Sequence, residues 1–305
     1  MQAKQGTHGI WTALVTPFDE NQQLDLPAFR ALLREQKAAQ VNGVIPCGST
    51  GEAVTLTLQE RMELIRTTLE ELKDSSVQVY AGTGTNDTQE SIQLSRWASD
   101  QGVDGVLVVT PYYNKPSQSG LENHFLAIAD QIECDLMLYN VPGRTGVSLT
   151  PQTIAKLARH PRIRSLNEAT GDLGFLSSIF DELGMQNLSL NLLSGDDATF
   201  LPALCLGATG VVSVTSNLIP QAMVELYSAF HHQDIKRARQ LHRKYYPLFR
   251  DLFIESNPTP IKFALEQRGL CRSWVRRPLA PLTEQSQEIL QRSLKRCGLD
   301  QTPSV

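Results

Sequence analysis

Gly105-Val-Leu-Val-Val-Thr-Pro-Tyr-Tyr-Asn114 carries the pattern from which the fold is read: a short run without charge, rich in valine, that ends in a polar cluster. A run this short and continuously apolar reads as a strand buried on both faces, and residues 120–131 after it place apolar side chains at helical spacing. The same strand-then-helix unit recurs along the chain. Candidate strands lie at 11–15, 43–46, 77–81, 105–109, 135–139, 163–166, 188–193 and 210–214, with helices such as 26–40, 58–72 and 89–101 between them. Eight such units predict an α/β fold, a closed (β/α)8 TIM barrel of parallel strands.

Beyond the eighth strand, residues 218–299 show helical patterning only, punctuated by Pro247, Pro258, Pro260, Pro278 and Pro281. No linker separates them, so 1–217 is read as the barrel core and 218–305 as its last helix and a C-terminal helical extension, with 301–305 loose. A length of 305 residues fits one barrel with an appendage.

With 41% hydrophobic and 20% charged residues, the composition is that of a globular chain with a large core. A net charge of -4, with the basic clusters at 236–239 and 272–277 reading as solvated faces, argues against nucleic acid as a partner. The first residues lack an apolar signal region, and no run approaches the ~18 apolar residues of a membrane span, so a cytoplasmic protein with no membrane partner is expected. The five cysteines, Cys47, Cys134, Cys205, Cys271 and Cys297, are odd in number and read as reduced thiols, Cys47 as a small buried hydrophobe. The histidines, including His231 and His232, show no metal-ligand spacing, and no metal is expected.

Polar clusters follow the strands one after another, at the carboxyl ends where barrel enzymes build active sites. Gly48-Ser-Thr-Gly-Glu52 offers backbone N–H groups and two hydroxyls to an anion such as a carboxylate; the same residues also suit a helix entrance capped by Ser49 or Thr50, with Glu52 steadying the loop. Tyr139 ends an apolar strand, either as a proton-exchanging phenol or as a packed ring. Arg144, in the Pro-Gly turn that follows, suits a second carboxylate or a surface ion pair. Tyr112 and Tyr113 are adjacent, so in an extended segment one faces its own site and the other a neighbour. Asp172, Asp196 and Asp197 read as helix caps.

Together with Thr110-Pro-Tyr-Tyr-Asn114, Tyr139-Asn-Val-Pro-Gly-Arg-Thr-Gly146, Glu168-Ala-Thr-Gly171, Leu193-Ser-Gly-Asp-Asp-Ala198 and Asn257-Pro-Thr-Pro260, the Gly48–Glu52 cluster resembles the dihydrodipicolinate synthase family over almost the whole chain. That resemblance implies a barrel that condenses pyruvate with aspartate semialdehyde in lysine biosynthesis, without metal or organic cofactor, usually as a homotetramer built from tight dimers. It places Ser49 and Thr50 on the pyruvate carboxylate. Ser49 and Tyr139 fall in a proton relay completed by Tyr113 from a neighbouring subunit, Arg144 on the semialdehyde carboxylate, and Gly195 and Val212 along the pocket. N-acetylneuraminate lyases share the Gly-Ser-Thr-Gly-Glu loop, and Arg144 in Pro-Gly-Arg-Thr-Gly favours the synthase. Asn86, Glu90 and Tyr112 match polar contacts of the family's lysine-feedback site; Leu58 and Arg61 do not match, so weak or no inhibition by lysine is expected.

Two positions depart from the family. Ser49 stands where threonine is usual, which keeps the hydroxyl and drops a methyl. Asn167 stands where the family carries the lysine that forms a Schiff base with pyruvate. An amide is no amine nucleophile, so the sequence predicts a synthase scaffold with covalent turnover lost or severely impaired. Two alternatives remain: a pseudoenzyme that binds ligand or partners an active paralogue, and an enzyme with imine-free chemistry.

Overall fold

Each of the eight apolar runs becomes a strand in the computed structural model, which describes residues 6–300; the expectation for 301–305 lies outside the described residues. In chain order the elements are β1 Gly9–Ala13, α1 Leu26–Ala38, β2 Gly43–Ile45, α2 Leu58–Leu72, β3 Gln78–Gly82, α3 Thr88–Asp100, β4 Gly105–Val109, α4 Gln118–Ala129, β5 Asp135–Asn140, α5 Pro142–Thr145, α6 Pro151–Leu157 and β6 Ile163–Glu168. Then follow α7 Leu173–Met185, β7 Asn191–Ser194, α8 Phe200–Leu206, β8 Gly210–Ser213, α9 Pro220–His231, α10 Ile235–Asp251, α11 Thr259–Gln267 and α12 Glu284–Arg296. The strands close into a barrel in the order β1 to β8. The fold is a (β/α)8 barrel with a C-terminal helical extension. Among the described residues, no helix is long and apolar enough to cross a membrane.

Two compact units are described separately: one is Val79–Val212 with the segment ending at Gly9, the other Ile10–Gln78 with the chain from Ser213 onward. In the first, β3 to β7 pair in parallel, and the strand interiors Val106, Val108, Leu136, Leu138, Leu166 and Leu192 are fully or almost fully buried. Burial on both faces is why these strands read as continuous apolar runs rather than alternating ones. Capping residues set the helix starts: Asp87 Oδ1 accepts from Glu90 N at 2.8 Å, and Asp172 Oδ1 from Gly174 N and Phe175 N at 2.8 and 3.0 Å.

In the second unit Thr57 and Glu60 form a capping box at the start of α2. Its core gathers Trp11, Phe29, Leu32, Leu33, Ile65, Leu248, Phe249 and Ile261, all at most 1% exposed. Pro247 was expected to punctuate a helix, and instead lies inside α10. Leu241, Tyr245, Leu248 and Phe249 bury one stripe of that helix on both sides of the proline, and this packing outweighs the lost hydrogen bond. Pro260 occupies the first turn of α11, where the missing N–H is harmless.

Candidate active site

Strand β6 runs two residues further than its apolar run, and this extension puts Asn167 on the sheet. Asn167 pairs in register with Tyr139 of β5 on one side and Leu193 of β7 on the other. It is 3% exposed, and its Oδ1 has no hydrogen-bond partner among the described residues. Gly195 closes over it: a Cβ at that position would lie 2.6 Å from Asn167 Oδ1 and 2.5 Å from Ala169 Cβ, so no side chain fits. Tyr139 is half-buried at the end of its strand.

The neighbouring residue Glu168 points its carboxylate to the opposite face. There it accepts from Thr170 Oγ1 at 2.7 Å, Thr170 N at 3.0 Å and Asn140 Nδ2 at 3.2 Å. Burial raises its pKa while these donors oppose the rise. Glu168 therefore fixes the loop to Gly171. Asn140 in turn accepts from Leu149 N, and Thr145 Oγ1 accepts from Thr110 Oγ1 at 3.1 Å, which pins the loop after β5 to the end of β4.

Arg144 lies in the last turn of the short helix α5 rather than in a plain turn, and it is exposed. The expected extended Tyr112-Tyr113 pair is also different: Tyr113 has φ +72°, a left-handed conformation, and its side chain is 90% exposed while Tyr112 is half-buried. Asn114 Nδ2 reaches Asn86 O at 2.8 Å, which joins the loops after β3 and β4; exposed Glu90 follows in the first turn of α3. Val212, on β8, is 5% exposed. Asp172 caps its helix as expected. Asp196 caps only the turn before α8, through Thr199 N at 3.0 Å, and Asp197 is buried.

In the other unit the Gly48–Glu52 loop follows β2. Left-handed residues bracket it, Cys47 at φ +60° and Glu52 at φ +55°, and a Cβ on Gly51 would crowd Leu14 O and Cys47 N at 3.1 and 3.2 Å. The N–H groups of Gly51 and Glu52 turn back onto Gly48 O and Ser49 O, whereas those of Ser49 and Thr50 have no partner among the described residues. Neither Ser49 nor Thr50 caps a helix, because a 3-10 turn at Ala53–Thr55 intervenes and Thr57 does the capping. Cys47 is buried, and desolvation pushes its thiol up to about 12, which leaves it inert.

Glu52 is 3% exposed and accepts from Lys262 Nζ and from Arg276 N at 2.9 Å. Lys262, 0% exposed, also donates to Trp274 O at 2.7 Å and sits 4.2 Å from the centre of the Phe18 ring, with the Arg276 guanidinium 4.4 Å from the same ring. Burial lowers the Lys262 pKa and Glu52 opposes that shift. Asn257 Nδ2 donates to Thr50 Oγ1 at 2.9 Å. Sequence reading missed Asn257 and Lys262 as partners of this loop; the Asn257–Pro260 motif was the available signal.

The sequence pattern of the Dihydrodipicolinate synthetase family matches residues 6–297. This chain belongs to that family. Among fellow members, the 4-hydroxy-tetrahydrodipicolinate synthase of Methanospirillum hungatei JF-1 is 46% identical over 290 residues, covering 94% of this chain and 98% of that protein. The solved 4-hydroxy-tetrahydrodipicolinate synthase of Methylacidiphilum fumariolicum SolV superposes with a TM-score of 0.92 at 43% identity, covering 96% of this chain and 97% of that one. The dihydrodipicolinate synthase of Thermotoga maritima gives 0.93 at 38%, with 97% and 100% covered. Every site residue described above lies within the stretch that the family pattern matches.

Proposed function

We propose that this chain is a synthase-type scaffold for pyruvate and aspartate semialdehyde, as used in lysine biosynthesis, in which imine chemistry is lost at Asn167. The observation that supports this reading is a buried amide on β6, in register with Tyr139, at the position where the sequence resemblance implies the Schiff-base lysine. Its nitrogen lone pair is delocalised into the carbonyl and cannot attack a ketone. Three candidate lysines are each placed otherwise. Lys115 is exposed, Lys156 pairs with Glu122 at 3.4 Å, and Lys262 is committed to Glu52.

The remaining groups fit binding. Ser49 and Thr50, with their two unengaged N–H groups, suit the pyruvate carboxylate, and the exposed guanidinium of Arg144 suits that of the semialdehyde. By the family resemblance, Gly195 and Val212 suit the substrate position, and Tyr139 and Ser49 each suit proton transfer. Tyr113, an aromatic side chain left 90% exposed, supports a homotetramer in which it serves a second copy. Loss of a positioned nucleophile removes roughly 7 to 11 kcal/mol of barrier lowering, against the roughly 10^2 to 10^4 in rate that a general acid or base supplies. Noncovalent enolisation is the most that would survive.

A second reading, a pseudoenzyme that keeps the pocket to sense a ligand or to partner an active paralogue, is favoured by the intact carboxylate loop. Incubation with pyruvate and borohydride followed by mass measurement tests the first reading: no adduct is expected, and a stable pyruvyl adduct would sink it. Asn167→Lys separates the two. Adduct formation and condensing activity in that variant indicate a synthase stopped at one step, and an inactive variant favours the pseudoenzyme.

A further inference from the structure

Thr50 receives its only hydrogen bond among the described residues from a side chain 207 positions away. Asn257 Nδ2 donates to Thr50 Oγ1 at 2.9 Å, and both residues are at most 5% exposed. A threonine hydroxyl carries one hydrogen and two acceptor sites. With Asn257 donating into one acceptor site, the hydroxyl hydrogen cannot point at Asn257, and no described residue accepts it. The same loop is fixed one side chain further on, where Glu52 holds Lys262 and Arg276 N. The hydroxyl is thus held at one acceptor site, with its hydrogen directed away from the Asn257 amide nitrogen.

We propose that Asn257 is a positioning residue that commits the Thr50 hydroxyl as a donor to the carboxylate of a bound 2-oxo acid. This rests on reading the Gly48–Glu52 loop as the carboxylate site. Free to rotate, the hydroxyl would spend part of its time offering a lone pair to an anion, which repels it. With Asn257 holding one of its two lone pairs, that repulsive orientation is less populated and the hydrogen is biased toward the anion. A preset donor spares the ordering that binding otherwise requires.

The test is a ligand-observed NMR titration with sodium pyruvate of the full-length chain and of N257A, N257D, T50V and N257A/T50V. Aspartate keeps the shape of asparagine and reverses its polarity, since it draws the Thr50 hydrogen to itself. N257A is expected to weaken pyruvate roughly tenfold, a hydrogen bond to a charged group being at stake, and N257D further. In the T50V background, N257A is expected to have no further effect. A merely structural role predicts instead that N257D is the milder change and that the N257A and T50V losses add in full, and either result overturns the proposal. The N257A/T50V cycle decides the matter if N257D does not fold. Should the unmodified chain fail to bind pyruvate, the loop reading falls and this role with it; binding that is indifferent to Asn257 removes this role alone.

Discussion

Tyr139 and Asn167 are direct partners across the β5–β6 pairing, so a phenol and a primary amide project side by side from the same face of the sheet. Lysine at 167 would bring an amine next to that phenol. In an N167K background, Tyr139→Phe is expected to lower kcat by roughly 10^2-fold or more, the usual worth of a positioned proton donor. Borohydride would still trap pyruvate in the double variant. A steady-state assay beside the trapping experiment checks both points, and an unchanged kcat would remove Tyr139 from the proton path.

Gly195 leaves no room for a methyl group. Its Cβ would overlap Asn167 Oδ1 and Ala169 Cβ at 2.6 and 2.5 Å, with Ala169 Cα at 2.9 Å. Gly195→Ala is expected to destabilise the fold by about 1 to 3 kcal/mol in urea unfolding, the usual range for overpacking. Adding Asn167→Ala should relieve only part of this, since Ala169 remains in the way.

The Lys262–Glu52 pair is fully enclosed, with side chains 0% and 1% exposed. Lys262→Met should therefore cost about 3 to 5 kcal/mol, because it strands a buried carboxylate. Replacing both partners with Lys262→Met and Glu52→Gln should recover much of the loss. Chemical denaturation of the three proteins measures this, and a single-variant loss under 1 kcal/mol would place the pair among weak surface bridges.

His124 is 4% exposed on α4, with Nδ1 against Thr88 Oγ1 at 3.0 Å and Nε2 without a hydrogen-bond partner among the described residues. Burial pushes its pKa down to about 4, with Asp87 pulling the other way. Between pH 6.5 and 4 the unfolded chain binds the proton and the folded one does not, so this group makes stability fall as pH falls through that window. The His124 ring signals should stay those of neutral imidazole to near pH 4. In His124→Gln the stability profile should be flatter across the same range.

The barrel was legible because strands buried on both faces leave an uninterrupted apolar signature, as at Gly105–Val109, although β6 interrupts its run with exposed Arg164. Its ends were less legible. The polar pair Asn167 and Glu168 ends the apolar run at Leu166, although register with β5 carries the backbone through both. The left-handed turn at Tyr113 gave no signal, since nothing about a tyrosine announces positive φ. The short helix at Arg144 was hidden by a Pro-Gly pair that equally describes a turn. Ser49 and Thr50 were located by motif. The support of Thr50 was invisible, because a hydrogen bond that spans 207 residues leaves no local pattern.

That long reach has a consequence for how the protein is made. The Gly48–Glu52 loop leaves the ribosome early, yet Glu52 meets Arg276 only after 224 further residues have been added. At ~5 to 20 residues per second, the wait is roughly 10 to 45 seconds. Throughout that interval the left-handed turn at Glu52 lacks its brace and a carboxylate destined for the interior stays in water. That loop is therefore among the last parts of the molecule to set, and a chain that stalls before Arg276 would carry a nearly complete barrel with the Gly48–Glu52 turn unbraced.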